Sequence, residues 1–448
     1  MSSVPSEQSF WWRLGLGSRT LRGWALYDWA NSAFATTIMS AFLPVYYSKV
    51  VARGLGQTVA TAYWGYTTAI ALALIAVLSP VLGAIADYLG AKKKFLAVFM
   101  GFGVTFTACL WFIGAGAWVL TSALFILANI GFAGANVFYE ALLPSIARGK
   151  EIDRVSTAGY ALGYVGGGVL LALNAAWYLA PERFGFSSSD QAIRASFVSV
   201  AVWWLLFSLP LFRSVREPVP RLEEGESPDL NPVRVAFTRV AGTLREIRRY
   251  PDLFVFLLAF LIYNDGVGTI IKMASIYGAE VGIGTADLIG ALILVQFVGV
   301  PFTFAFGQFA GRMGARKSIY VGLVVYSLIA ILGFFMNTAW HFWALALGVA
   351  SVQGGIQALS RSLYASMVPV GRATEFFGFY SVSSKVAGIA GPLVFALVGE
   401  SMGSSRWSIL SLLVFFVAGG LILTHVNEEA GRRLASETDA AMTKRVAF

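Results

Sequence analysis

The sequence predicts an all-α polytopic membrane protein, with twelve transmembrane helices in two six-helix, pseudo-symmetric halves. Three observations predict it. The first is composition: of 448 residues, 57% are apolar and only 13% charged, and the mean hydropathy is +0.70. An ordinary soluble protein is roughly 45–50% apolar and about 25% charged. This chain therefore lacks the residues for a charged skin, and disorder, a collagen-like rod and a disulfide scaffold are excluded with it. The second is a series of apolar runs, each long enough to cross about 30 Å of hydrocarbon at about 1.5 Å per residue. The third is the placement of the basic residues between those runs.

Residues 1–22 form a polar N-terminus in which Trp11, Trp12, Arg13, Arg19 and Arg22 suit a membrane interface. It has no signal-peptide pattern of basic start, apolar core and small-residue cleavage site. The first half, 23–212, holds apolar runs near 23–48, 62–86, 94–114, 117–147, 155–179 and 192–212. A central loop, 213–251, opens with Pro218, Pro220 and acidic Glu223, Glu224 and Glu226, then turns basic through Arg234, Arg239, Arg245, Arg248 and Arg249. Its second part reads as an amphipathic helix on an anionic inner leaflet or as a solvated linker. The second half, 252–425, holds runs near 252–277, 285–310, 317–336, 340–368, 374–399 and 405–425, and 426–448 is a polar tail.

With the N-terminus inside, the inner segments hold 26 of the 33 Lys and Arg residues. Lys49, Arg53, Arg183, Arg194 and Arg406 lie outside, and Lys272 and Lys385 fall within runs. Cytoplasmic loops carry the excess of Lys and Arg, so the split predicts an even number of helices with both termini cytoplasmic. The membrane would be the plasma (inner) membrane in a bacterium. The net charge of +9 has the same origin, and no nucleic-acid partner is expected. Cys109 is the only cysteine, and His341 and His425 the only histidines. No disulfide, metal site or cofactor is expected. No phosphate loop, dinucleotide fingerprint or catalytic constellation occurs, so an enzyme is not expected.

The halves echo one another. Gly83, Gly90 and Lys92 lie 224 positions before Gly307, Gly314 and Arg316, and Pro144, Gly163 and Gly166 lie 225 before Pro369, Gly388 and Gly391. A shared offset in two separate regions suits a six-plus-six duplication, the parallel repeat of large transporters.

Gly83-Ala-Ile-Ala-Asp87-Tyr-Leu-Gly90-Ala-Lys92-Lys-Lys94 resembles the loop after the second span in the major facilitator superfamily. Tyr88 and Ala91 stand where that loop is usually basic. Glycines permit a tight turn, and an Asp at a helix end pairs with a helix N-terminus or a cation. The resemblance implies a cytoplasmic gate of Gly83, Asp87, Gly90 and Lys92; without it, Asp87 reads as an ordinary helix-end carboxylate. A narrower resemblance rests on Tyr27-Asp28-Trp29-Ala30-Asn31-Ser32-Ala33 and Tyr263-Asn264-Asp265-Gly266. These runs resemble the autophagy-related vacuolar amino-acid effluxer family and its bacterial relatives, which are major facilitators. That implies the major facilitator fold, secondary transport and, in fungal members, amino-acid export.

Ionised side chains at mid-bilayer cost at least about 2.5–3.5 kcal/mol, so embedded ones are functional candidates. Asp265 lies near mid-span, Lys272 is seven residues on, and Lys385 is at similar depth in the eleventh run. Asp28 and Asn31 share a face, Asn136 and Glu140 are one turn apart, and Gln353, Gln357 and Arg361 form a stripe. In the superfamily that this chain resembles, the first, fourth, seventh and tenth spans line the cavity. Asp265, then Asp28 and Glu140, are expected to exchange protons, because apolar surroundings favour a carboxylate's neutral form. Asn31, Asn136, Asn264, Gln353 and Gln357 are expected to hydrogen-bond the solute, with Lys272, Arg361 and Lys385 attracting an anionic group. Asp265 and Lys385 also read as an interhelical ion pair, and Glu140 as a partner of Arg148 or Arg154. Glycines 159, 163 and 166–168 in the fifth run form a small-residue packing face.

The sequence thus predicts a monomeric secondary active transporter that moves a small polar solute, an amino acid, zwitterion or organic anion, outward by alternating access with proton coupling. The alternative is a receptor or scaffold on a transporter fold.

Overall fold

Ser18 starts the first helix: its hydroxyl accepts from the Leu21 amide at 3.1 Å, one of the donors a helix N-terminus leaves unpaired. Ser188, Thr338 and Ser404 cap later helices in the same way. The computed structural model describes residues 14–446 except 55–56, 149, 220–221, 223–225, 228, 247–248, 389 and 403. Among the described residues every regular element is a helix.

The first half comprises α1 (Arg19–Ala33), α2 (Gln57–Leu89), α3 (Lys92–Cys109), α4 (Trp118–Ile146), α5 (Lys150–Leu179) and α6 (Ser189–Ser214). Beyond Ala33 the first helix continues in wider, π-type turns over Phe34–Phe42 and Tyr47–Val51. After α7 (Pro232–Glu246) come α8 (Pro251–Glu280), α9 (Thr285–Met313), α10 (Ala315–Phe334) and α11 (Ala339–Met367). They are followed by α12 (Ala373–Val386), α13 (Ala390–Met402), α14 (Ser405–Ser411), α15 (Leu413–Leu423) and α16 (Glu428–Val446). Pro232 and Pro251 stand at first helical positions, where a missing N–H costs nothing.

Nine helices among the described residues are long and apolar enough to cross a membrane. The three other expected runs are also helical, as α1 with its wide turns, α2, and α12 with α13. The eleventh run is not continuous as expected. It is interrupted between Val386 and Ala390, where the poor helix former Gly388 stands four residues before Pro392, which offers no N–H to its carbonyl. Large apolar side chains such as Val98, Phe112, Leu206, Val324 and Leu421 are more than half exposed at various heights. Such a surface suits lipid, not water.

The repeated turn glycines have one physical cause. Gly90, between α2 and α3, has φ +57°, and Gly314, between α9 and α10, has φ +89°. A side chain at either position would be strained. The core of the first half is aromatic: Trp24 stacks on Tyr139 at 4.5 Å, and Phe34 on Phe132 at 4.7 Å. The glycine face of α5 seats α1, with Gly163 against Ser32 and Gly166 against the Trp29 carbonyl. The halves meet where α5 packs on α9 and α2 on α12.

The central segment is not a free linker throughout. In α7, Val235, Ala236 and Arg239 are buried, and the helix lies on α2. Arg239 pairs with Glu226 at 2.6 Å and lies 5.7 Å over the Tyr88 ring. The Tyr88 hydroxyl donates to the Ser227 carbonyl at 2.6 Å. Tyr88, which departs from the expected basic pattern, thereby anchors this segment.

Candidate functional site

Polar residues at helical spacing reach one another because five helices converge. A cavity of about 180 Å³ is lined by Ala133, Asn136 and Glu140 of α4, Tyr160 of α5, Phe260 and Asn264 of α8, Gln357 of α11, and Tyr380 and Ser384 of α12. Four residues singled out from the sequence therefore share one chamber: Asn136, Glu140, Asn264 and Gln357. Asn31 joins them from α1, its amide donating to Asn136 Oδ1 at 2.6 Å. Gln353 is half-buried one turn from Gln357 and lies beside the Tyr164 hydroxyl.

One turn from Gln357 in the other direction, Arg361 crosses between the halves. Its Nη2 donates to Asp28 Oδ2 at 3.1 Å and to the Ser156 carbonyl at 3.0 Å, and its Nε to Ser156 Oγ at 3.0 Å. Its guanidinium lies 4.2 Å over the Tyr160 ring and 5.0 Å over Trp24. Arg361 is 1% exposed and Asp28 8%. A charge held so far from water needs a counter-ion and filled hydrogen bonds, and it has both. Ser156 also donates to the Ala358 carbonyl at 2.8 Å, and Ser362 to Asp153 Oδ1 at 2.6 Å.

The loop after α2 forms a second layer. Asp87 Oδ1 accepts from Thr374 Oγ1 at 2.9 Å and Oδ2 from the Glu375 amide at 3.0 Å. Asp87 thus seats itself on the first turn of α12, where free N–H groups and the helix dipole favour an anion. Lys92 lies 2.9 Å from Asp87 and donates to the Val370 carbonyl at 3.2 Å. Gly83 is required because a Cβ there would fall on the Thr374 backbone. Gly90 supplies the left-handed turn that brings Lys92 back to Asp87. Both layers lie toward the face that carries most of the basic residues, here the basic face.

The remaining sequence candidates are placed differently. Asp265, 1% exposed, faces Gly391 of α13 and is not among the described residues that line the cavity. Lys272 and Lys385 belong to α8 and α12, but their side chains lie outside those described. Asp153, Ser156, Tyr160 and Tyr164 were not singled out. Their spacing of three, four and four residues is one stripe along α5, so the signal was available.

The family model described as vacuole effluxer Atg22 like matches residues 17–436. The chain belongs to this family. An uncharacterised MFS-type transporter of Bacillus subtilis (strain 168), YxiO, is 41% identical over 416 residues, covering 92% of this chain and 96% of that one. Autophagy-related protein 22 of Saccharomyces cerevisiae (strain ATCC 204508 / S288c) is 24% identical over 363 residues, covering 70% and 68%. Among solved structures, a major facilitator superfamily transporter, FucP, in the outward conformation aligns with a TM-score of 0.70 at 14% identity, covering 91% of this chain and 98% of that one. The protein is a multi-pass membrane protein and an MFS-type transporter with the major facilitator fold. Both runs that carried the family resemblance lie at the site of this Atg22-like chain. Residues 27–31 supply Asp28 to the Arg361 pair and Asn31 to the cavity. Residues 263–265 supply Tyr263, whose hydroxyl meets Ser360 Oγ at 2.6 Å, and Asn264 in the cavity wall.

Proposed function

We propose that this protein is a proton-coupled secondary transporter that exports a small polar solute by alternating access, with its basic face and both termini in the cytoplasm of the cell. The observation that carries this reading is the Asp28–Arg361 pair: a titratable group on one half holds a fixed charge on the other, directly beneath a polar cavity. Deprotonated Asp28 keeps Arg361 and closes the cytoplasmic side. A proton arriving through the cavity removes the carboxylate's charge and frees the guanidinium, and the halves part. Proton release to the cytoplasm and solute entry from it then restore the pair and send the solute outward. Asp28 is the coupling residue in this scheme, and Glu140 and Asp265 are the further carboxylates to test.

The solute is proposed to be compact and to carry an ammonium group, as a zwitterion such as an amino acid does. Glu140 gives the described lining a carboxylate, Asn136, Asn264 and Gln357 supply both donors and acceptors, and Tyr160, Tyr380 and Phe260 supply rings that attract a cation.

A solute panel in proteoliposomes with an imposed pH gradient tests the proposal. Wild-type protein is expected to accumulate an ammonium-bearing solute against its gradient. Asp28→Asn is expected to lower gradient-driven accumulation about tenfold or more, since one lost charge-assisted bond is worth roughly 1.5–3 kcal/mol. Full pH response in Asp28→Asn, with loss of it in Asp265→Asn, would move coupling to Asp265. Saturable binding without flux in the wild type would favour the receptor reading.

A further inference from the structure

The Val370 peptide carries two restraints from opposite sides. Its carbonyl accepts from Lys92 of the first half at 3.2 Å, and its N–H donates to Asp439 Oδ2 at 3.0 Å. The other carboxylate oxygen of Asp439 accepts from the Gly371 amide at 3.1 Å. Four residues on, the same segment supplies the Thr374 hydroxyl and Glu375 amide that hold Asp87. Among the described residues, the partners of the Asp87–Lys92 latch in the second half thus lie within Val370–Glu375, and a residue of the tail helix α16 fixes where that segment begins.

The tail helix is itself docked. The Asn427 amide donates to Asp252 Oδ1 at 2.7 Å, Arg432 Nε to Ser366 Oγ at 3.1 Å, and the Arg316 guanidinium to the Val426 carbonyl. Gly431 sits against the Met367 side chain. These contacts, two of them made by Val426 and Asn427 just before α16, reach the start of α8, the start of α10 and the end of α11, so α16 and the residues leading into it bridge the second half's helices on the basic face. A solvated tail has no need of such contacts, and Glu437, on the exposed side of the same helix, lies instead 3.8 Å from Arg433.

We propose that Asp439 is a positioning residue of the gate: through Val370 and Gly371 it sets the segment that receives Asp87 and Lys92, so the tail helix controls how readily the basic face opens. The carboxylate acts through these amides and touches no solute. Without it, two amides lose their acceptor, the 370–375 segment gains freedom, and the closed state loses more than the open one. The inference rests on the alternating-access reading above.

Spin labels at Lys94→Cys and Arg312→Cys, in a Cys109→Ser chain, report the separation of the halves on the basic face. Both sites are exposed and outside the site and latch. Wild-type protein is expected to show a short and a long distance whose ratio responds to pH. Asp439→Ala is expected to raise the long-to-short ratio on the order of tenfold. Asp439→Asn, with one acceptor oxygen left, is expected to fall between, and Glu437→Ala to match the wild type. In transport, Asp439→Ala is expected to lower KM for solute presented on the basic face together with kcat; a merely destabilised protein would lose kcat at unchanged KM. A single distance in the wild type under all conditions would overturn alternating access at this face. Two distances with unchanged populations in both Asp439 variants would overturn the role of Asp439 alone.

Discussion

Arg361→Ala is expected to reduce transport at least about a hundredfold. The change strands Asp28 without its counter-ion and leaves the Ser156 hydroxyl and carbonyl without their donor. Removing one partner of a buried pair costs about 3–5 kcal/mol. Arg361→Lys keeps the charge but not the planar fork or its stacking on Tyr160 and Trp24, so an intermediate loss is expected. Asp28→Asn with Arg361→Gln removes both charges of this pair, so neither is stranded. That pair of changes is expected to recover thermal stability relative to Arg361→Ala while transport stays unresponsive to a pH gradient. Initial rates in proteoliposomes, with unfolding midpoints of the same preparations, separate the two effects.

Asp87→Ala is expected to lower outward transport about tenfold to a hundredfold. Three donors lose their acceptor at once: the Thr374 hydroxyl, the Glu375 amide and the Lys92 ammonium. Lys92, 2% exposed, is left as a buried charge, and such losses are worth about 2–4 kcal/mol together. Asp87→Asn retains acceptor capacity without the charge and is expected to lose less. Lys92→Met in the Asp87→Asn background removes the stranded cation and is expected to restore part of the lost stability. Comparing solute exchange with net outward flux checks the direction, since a loosened gate leaves exchange less affected than net export.

Much of this was legible in the sequence because hydrocarbon imposes simple rules. Apolar runs gave the helices, and polar residues one or two turns apart on α4 and α11 gave the cavity wall, since an embedded polar face has to meet another. The partners of Asp87 and Lys92 were not readable from the residues alone: the resemblance of residues 83–94 to the major facilitator loop implies a gate there, while Asp87 by itself reads as an ordinary helix-end carboxylate. The eleventh helix was misread as continuous because glycine and proline occur widely in membrane helices, and only the position of Pro392 relative to Gly388 distinguishes a break from tolerance. Asp265 and Asn264 are adjacent, yet one faces Gly391 and the other the cavity; depth along a helix is readable from sequence, but rotation about its axis depends on the neighbours. The α5 stripe of Asp153, Ser156, Tyr160 and Tyr164 escaped notice because abundant glycines on the same helix drew a packing interpretation. The docking of α16 had no local signal, since Asp439 finds its amides 69 and 68 residues away.

The central claim is that protonation of Asp28 opens the basic face. In the proposed scheme the Asp28–Arg361 ion pair, 3.1 Å apart, belongs to the closed state alone and requires the carboxylate, so the scheme has closure favoured as pH rises. The direct measurement is the distance between labels at positions 94 and 312 across pH, in wild type and Asp28→Asn. The account predicts a wild-type shift from long to short distances as pH rises, and an Asp28→Asn population fixed at the long distance throughout. An Asp28→Asn protein that closes with the wild-type pH dependence would contradict it.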